Sequence, residues 1–134
     1  MATTTATLTI ASTDLLSDEL ALTTSASLNI AGAATGISQA IGLSRLKIGD
    51  TSETTLFVAS VYTDDKAHTV YIKNTSTTAT QYLLVKVAGA ELGRLYAGDF
   101  LFAPWSADTT STDSDVTVTP SASGMTTEYM AFID

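Results

Sequence analysis

Residues 68–105 decide the fold, and they read HTVYIKNTSTTATQYLLVKVAGAELGRLYAGDFLFAPW. Val, Ile, Leu and Tyr, which favour strands, are concentrated in residues 68–73 and again in residues 81–87. The polar segment 74–79 between them is typical of a loop, so these two strands are predicted to form a β-hairpin. Residues 91–96 and 99–103 are predicted to form a second hairpin. They are joined by Ala97-Gly98, where Gly98 can adopt the positive φ of a tight turn.

The rest of the chain repeats the alternation of apolar and polar residues that is typical of half-buried strands. Further strands are predicted at residues 5–11, 20–30, 43–48, 55–62, 115–119 and 126–133. Residues 55–62 are the most apolar of these and are predicted to be central. Residues 43–48 carry Arg45 and Lys47, which is typical of an edge or surface strand.

Two segments allow alternative interpretations. Residues 12–19 could form a one-turn helix capped by Asp14, but so short a helix is unstable alone and a loop is favoured. Residues 31–42 contain three glycines and are predicted to be a long loop with one helical turn near residues 38–41.

Eight to ten short strands with almost no helical periodicity predict an all-β fold, an antiparallel β-sandwich that is jelly-roll-like or immunoglobulin-like. The 134 residues are predicted to form a single domain, residues 1–134. Residues 1–12 are a candidate N-terminal arm or exchanged strand.

Composition excludes several classes of function. Charged residues are 15% of the chain and the net charge is −8, and the six basic residues are scattered, so no nucleic-acid partner is expected. A basic or neutral partner is preferred on this balance. There is no cysteine, and neither a signal peptide nor a membrane span is expected.

Candidate sites for chemistry are few. His68 is the only histidine and is predicted to lie at the surface at a strand end, with no metal or catalytic role. Asp108, Asp113 and Asp115 could bind Ca²⁺ in a loop, but their spacing matches no EF-hand and a solvated loop is preferred. The carboxylate pairs Asp64-Asp65 and Asp18-Glu19 lie in polar turns, where the raised pKa of a glycosidase acid is not expected. No enzyme activity, no cofactor and no metal are therefore predicted.

Most of the nine Tyr, Phe and Trp residues from Tyr62 onward alternate along strands and are predicted to lie in the core. Trp105 is the exception, because it follows Pro104 at the mouth of a long polar loop. It is predicted either to close the core or to contact a protein partner, where Trp is common in energetic hot spots.

Four segments, YIKN (71–74), GRLYAGDFLFAPW (93–105), DVTVTPS (115–121) and EYMAF (128–132), resemble small virion structural proteins of tailed bacteriophages of marine and cyanobacterial hosts. The resemblance implies a non-enzymatic virion protein that is made in the host cytoplasm and is a homo-oligomer. It would bind the major capsid protein or other virion proteins, as a capsid decoration (cement) protein or as a head–tail, tail or fibre-base subunit.

A carbohydrate-binding β-sandwich that uses Trp105 and nearby tyrosines is a further alternative. The predicted interface residues are Thr5, Thr7, Leu8, Ile10 and Trp105.

Overall fold

The structure, a computed structural model, describes residues 3–15, 17–30, 33, 35–37, 39–63, 66–108 and 114–134. Within these ranges the chain consists of strands and loops, with one turn of 3₁₀-helix at Ala59–Val61 and no α-helix. The all-β prediction is confirmed. The chain divides into two compact units, Met1–Ser38 and Gln39–Asp134. That residues 1–134 form a single domain stays a prediction.

The first unit is a two-stranded antiparallel ribbon. β1 (Thr4–Ser12) pairs with β2 (Leu20–Leu28) over nine residue pairs without a register shift. Between them the Ser12 hydroxyl oxygen accepts a hydrogen bond from the Leu15 N–H (3.1 Å), and the described residues form bends and no helix. The loop predicted for this segment is confirmed.

The described residues of the second unit form eight strands. In chain order they are β3 (Gln39–Ile48), β4 (Thr54–Phe57), β5 (Ala67–Asn74), β6 (Tyr82–Val87), β7 (Ala90–Tyr96), β8 (Phe100–Ser106), β9 (Val116–Pro120) and β10 (Met125–Ile133). Because β3 begins at Gln39, the helical turn predicted near residues 38–41 is wrong for residues 39–41, and Ser38 lies outside the described residues.

The pairing of these strands is that of one long hairpin that has been rolled up. β3 pairs with β10, β4 with β9, β5 with β8 and β6 with β7, all antiparallel. Two further ladders, β10 with β5 and β6 with β9, close the roll. The result is two four-stranded sheets, sheet I (β3-β10-β5-β8) and sheet II (β4-β9-β6-β7). This is the topology of an eight-stranded jelly roll, so the predicted antiparallel β-sandwich is confirmed in its jelly-roll form.

Both hairpins predicted between residues 68 and 103 are wrong in their pairing, although their strands are correctly placed. β5 lies in sheet I and β6 in sheet II, while β7 lies in sheet II and β8 in sheet I. The tight turn at Gly98 (φ +87°) exists, and the Asp99 N–H donates to the Tyr96 carbonyl oxygen (2.9 Å). This turn carries the chain from one sheet to the other. The true hairpin is β6–β7, which turns at Ala88-Gly89 with φ values of 54° and 72°.

The core lies between the two sheets and takes side chains from both. Phe57, Ile72 and Leu83 are among its largest fully buried members. Residues 55–62 do not form the predicted central strand, because β4 ends at Phe57 and lies at the edge of sheet II. Their apolar character has another cause: the chain leaves the sheet after Phe57 but keeps burying side chains, Ala59 and Tyr62 among them.

Buried Asn74, at the end of β5, contacts both connections that cross between the sheets: its backbone bonds to Gly98 and Asp99 in the β7–β8 turn, and its side chain bonds to the β5–β6 connection and to β7. Its amide nitrogen donates to the carbonyl oxygens of Gln81 (3.2 Å) and Leu95 (3.0 Å). Its amide oxygen accepts from the Ser76 N–H (2.9 Å). Asn74 is 0% exposed, so these three bonds satisfy the amide in place of water. The crossovers therefore depend on a residue that the sequence pattern assigned to a loop.

Candidate functional site

Trp105, the predicted exception among the aromatic residues, is part of the core. It is 4% exposed, its ring centroid lies 6.0 Å from that of Phe57 and 5.0 Å from that of Tyr62, and its Nε1–H donates to the Ser114 carbonyl oxygen (2.8 Å). Of the two predicted roles, closing the core is the one that this position supports. A buried ring presents almost no surface to a partner, which removes Trp105 from the predicted interface residues.

His68 is also buried, which contradicts its predicted surface position. It is 0% exposed and packs against Tyr62 and Trp105 at centroid distances of 5.3 and 5.8 Å. The Asp134 N–H donates to Nδ1 (3.1 Å), so the proton of the neutral ring is on Nε2, which donates to the Thr63 carbonyl oxygen (3.1 Å). Both ring nitrogens therefore bond to the backbone, Nδ1 to Asp134 and Nε2 to Thr63 in the segment before β5. These bonds hold both segments against the core. This geometry gives His68 a structural role.

The aspartates of the long loop are only partly described. Asp113 lies outside the described residues, as do Asp64 and Asp65, so the predictions made for them remain untested. The Asp115 carboxylate accepts a hydrogen bond from the Ala59 N–H (2.8 Å), which anchors the loop to the segment after β4. The described part of the chain contains no group of three or more His, Cys, Asp or Glu residues arranged to hold a metal ion.

The four remaining predicted interface residues, Thr5, Thr7, Leu8 and Ile10, all lie on β1 and are exposed. Leu8 and Ile10 are each 43% exposed. Because side chains alternate along a strand, Leu8 and Ile10 share one face of the ribbon. Thr5 and Thr7 lie on the other face. Their exposure leaves the predicted interface role open as a prediction, and the register divides the four residues between two faces.

The main exposed apolar surface of the second unit is the outer face of sheet I, where the prediction of core aromatics is wrong. Phe100 is 55% exposed and Phe102 41%, whereas the residues between and beyond them, Leu101 and Trp105, pack in the core. The strand register places Tyr71 beside Phe102 and Met130 beside Tyr71. We call this surface the aromatic face, and its members are Leu43, Tyr71, Phe100, Phe102, Met130 and Phe132.

Ring contacts make the aromatic face continuous across strands. Tyr71 and Phe100 have centroids 6.3 Å apart, and Phe102 and Phe132 have centroids 6.2 Å apart in an edge-to-face arrangement. Burial among these side chains raises the pKa of the Tyr71 phenol, and the charge of Glu128 raises it further. Scattered exposed hydrophobic residues need no explanation, but a contiguous patch of this kind is typical of a binding surface.

Beside the aromatic face, sheet I carries an unusual share of the basic residues. Glu128 pairs in register with Arg45 on one side and Lys73 on the other, and Lys47 lies one row further along. Arg45 Nη2 and Glu128 Oε1 are 2.7 Å apart. The outer face of sheet I thus holds three of the six basic residues and one of the fourteen acidic residues of the chain. It has a local net charge of +2 on a protein of net charge −8. The preference for a basic or neutral partner, drawn from overall composition, stays a prediction, but the charge of this face differs in sign from that of the whole chain.

The outer face of sheet II is different in chemistry. It presents Thr117, Thr119 and an ion pair in which Lys86 Nζ lies 2.7 Å from Glu53 Oε2. Hydrogen bonds from Lys86 and then Thr117 lower the pKa of Glu53. This face also carries Leu84, opposite Thr119, and Leu92, which is 56% exposed, so it mixes polar and apolar side chains. Its aromatic residues form one local cluster, with Tyr82 and Tyr96 at 5.4 Å and the Arg94 guanidinium 4.7 Å over the Tyr82 ring.

An open polar groove adjoins the basic end of the aromatic face. Its walls are the hydroxyl-rich segment 75–78 together with Gln81, Arg45 and residues 124–126, and its volume is about 520 Å³. The Ser76 hydroxyl donates to Gln81 Oε1, and Arg45 is already paired with Glu128. The groove offers hydroxyls to a partner at the edge of the aromatic face but brings together no acid, base and nucleophile.

Comparison with known proteins identifies no relative: no family model, no curated protein and no solved structure matches this chain. Among the described residues, no helix is long and apolar enough to cross a membrane.

Proposed function

We propose that this chain is a non-enzymatic structural protein of a phage virion, and specifically a capsid decoration or cement protein that binds the head shell through the aromatic face. The observation that carries the proposal is the exposure of Phe100 and Phe102, 55% and 41%, on an otherwise ordered sheet. The resemblance of residues 71–74 and 93–105 to phage virion proteins supports it. The jelly roll occurs in capsid proteins and also in lectins, so the fold supports the proposal only by analogy.

The binding energy available to one copy is modest. Burying the exposed half of two Phe side chains, each about 200 Å² in full, removes about 200 Å² from water and is worth about 5 kcal/mol at most. Association itself costs roughly 4–15 kcal/mol in lost translational and rotational freedom. The other side chains of the aromatic face, and the row of Arg45, Glu128 and Lys73, must therefore contribute to the binding free energy as well. If the protein is present in many copies and is itself a homo-oligomer, multivalency supplies the affinity that a single copy lacks.

The test is to add the purified protein to capsids that lack it and to measure the bound copies as the concentration rises. The double variant Phe100→Ser/Phe102→Ser should bind at least about tenfold more weakly, which corresponds to about 1.4 kcal/mol. The matched control is Tyr96→Ser, because Tyr96 is equally exposed (42%) but lies on the outer face of sheet II. Equal binding by the double variant and the wild type, with both folded, would refute the role of the aromatic face.

The number of copies in each virion distinguishes the two forms of the proposal, a protein of the head shell and a subunit of the tail, neck or fibre base. Hundreds of copies in each particle indicate a shell protein, and about a dozen or fewer indicate a tail, neck or fibre-base subunit. In either case the aromatic face is the predicted contact.

A carbohydrate-binding module remains a second candidate, because exposed aromatic rings can stack on sugars. The residue first predicted for that role, Trp105, is buried, so the platform would have to be Tyr71, Phe100 and Phe102. A glycan array with wild type and Phe102→Ser tests this candidate: specific binding that is lost in the variant would favour it over the virion role.

A further inference from the structure

The ribbon formed by β1 and β2 has one apolar face and one hydroxyl face. The register pairs Ile10 with Leu22 and Ser12 with Leu20, so the leucine and isoleucine side chains of both strands lie on the same side. Leu8, Ile10 and Leu22 remain 43–46% exposed there. On the opposite side the Thr7 and Ser25 hydroxyls meet across the ribbon at 3.3 Å. The apolar face is therefore suited to burial against another protein surface, and the hydroxyl face is suited to contact with water.

The edges of this ribbon are open over most of their length among the described residues. It is a sheet of two strands only, and the one further pairing lies at the end of β2, where the Leu28 carbonyl oxygen accepts from the Ile37 N–H (3.3 Å) and Asn29 forms a bridge with Gly36. Natural edge strands are usually protected by charges, prolines or bulges. Edge strand β3 of the same chain has such protection, namely Arg45, Lys47 and a register shift opposite residues 129–131. Neither β1 nor β2 contains a charged residue or a proline, and their ladder has no shift.

Charge favours the ribbon as the place where two copies of the chain can meet. Two copies of a chain with net charge −8 repel each other over most of their surface. The ribbon strands avoid this, since the only charges of the hairpin, Asp14, Asp18 and Glu19, lie in the loop at one end. Nine residues of strand extend about 30 Å, which is several Debye lengths at physiological salt. Two ribbons that meet in opposite directions thus keep their acidic loops far apart.

We propose that the ribbon is the element through which copies of this chain associate, with the apolar face of one copy buried against the ribbon of a second copy. An isolated two-stranded ribbon is marginally stable, so a second ribbon also stabilises the first. One face of about 30 by 10 Å offers roughly 300 Å² per copy, well below the ~800 Å² per partner of a standard stable interface. Self-association is therefore weak and concentration-dependent unless backbone pairing at the open edges adds to it. The inference does not depend on the virion role, because it concerns the purified chain alone.

The experiment measures molar mass by light scattering after size exclusion, over a range of protein concentrations. The wild type should be oligomeric or in a concentration-dependent equilibrium, and Leu8→Lys/Leu22→Lys should shift that equilibrium toward monomer by at least about tenfold. The matched control, Thr7→Lys/Thr23→Lys, adds the same charges to the hydroxyl face of the same strands and should associate like the wild type. A wild type that is monomeric at about 100 μM, or a control that dissociates as fully as the apolar-face variant, would overturn the proposal.

A second measurement guards against loss of folding. The chain has one tryptophan, Trp105, buried in the second unit, so its fluorescence reports that this unit is intact in each variant. Because there is no cysteine, Leu8→Cys and Thr7→Cys each introduce a single thiol. Under mild oxidation Leu8→Cys should give a covalent dimer much faster than Thr7→Cys. Equal rates would contradict burial of the apolar face between copies.

Discussion

Replacing Asn74 by Ala tests the jelly-roll crossovers, because this one amide joins the β5–β6 connection to Leu95, next to the end of β7. The substitution removes the two bonds to the Gln81 and Leu95 carbonyl oxygens and the bond from the Ser76 N–H. At about 1 kcal/mol for each bond, the free energy of unfolding should fall by about 3 kcal/mol. That is a large part of the 5–15 kcal/mol typical of a domain.

The assay is urea unfolding followed by the fluorescence of Trp105, with the slope of the transition compared between variants. The matched control is Thr77→Ala, in the same connection but exposed, which should change the stability by less than about 0.5 kcal/mol. Asn74→Asp keeps an acceptor for the Ser76 N–H, but an ionised carboxylate cannot donate to the two carbonyl oxygens, so it should destabilise at least as much as Ala. A loss below about 1 kcal/mol for Asn74→Ala, with an unchanged slope, would refute the claim that this amide fastens the crossovers.

Two further predictions concern sheet II. Ala88, with φ 54° in the β6–β7 turn, occupies a conformation that suits Asn better than Ala, so Ala88→Asn should raise the free energy of unfolding by about 0.5–1 kcal/mol in the same urea assay; a loss of stability would contradict the turn geometry. The pKa of Glu53 is lowered in the folded protein, so its carboxylate stabilises the fold above its unfolded-state pKa, and this contribution is lost as the pH falls through the folded-state pKa. Between neutral pH and about pH 3 the wild type should therefore lose more stability than Glu53→Gln, and parallel pH profiles would refute this role of the Lys86–Glu53 pair.

The positions of most strands could be predicted from the sequence because alternation is a local property, and the exception is residues 55–62, where β4 ends at Phe57. Their pairing could not, because β5 is followed by polar loop residues whether it turns back on itself or crosses to the other sheet. The decisive feature is the buried Asn74, and nothing in the segment around it distinguishes an amide that joins a crossover to a strand of the other sheet from one in solvent. The one true hairpin of the stretch does have a local signal, Ala88-Gly89, which resembles the two-residue turns that contain Gly.

The aromatic face was missed for a related reason. β8 has apolar side chains on both parities, Phe100 and Phe102 on one and Leu101 on the other, so alternation cannot decide which side faces the core. His68 is different, because it shares its parity with Val70 and Ile72, both of which are buried. That signal was available and predicts an inward-facing histidine, whereas residue type alone suggests a surface position.

The most direct test is a reconstruction of particles to which the protein has been added, at a resolution that orients its two sheets. We expect sheet I to face the particle, with density of another virion protein lying over Phe100 and Phe102 and next to Arg45 and Lys73. A particle on which the protein is bound through the outer face of sheet II, with Phe100 and Phe102 open to solvent, would contradict the proposal.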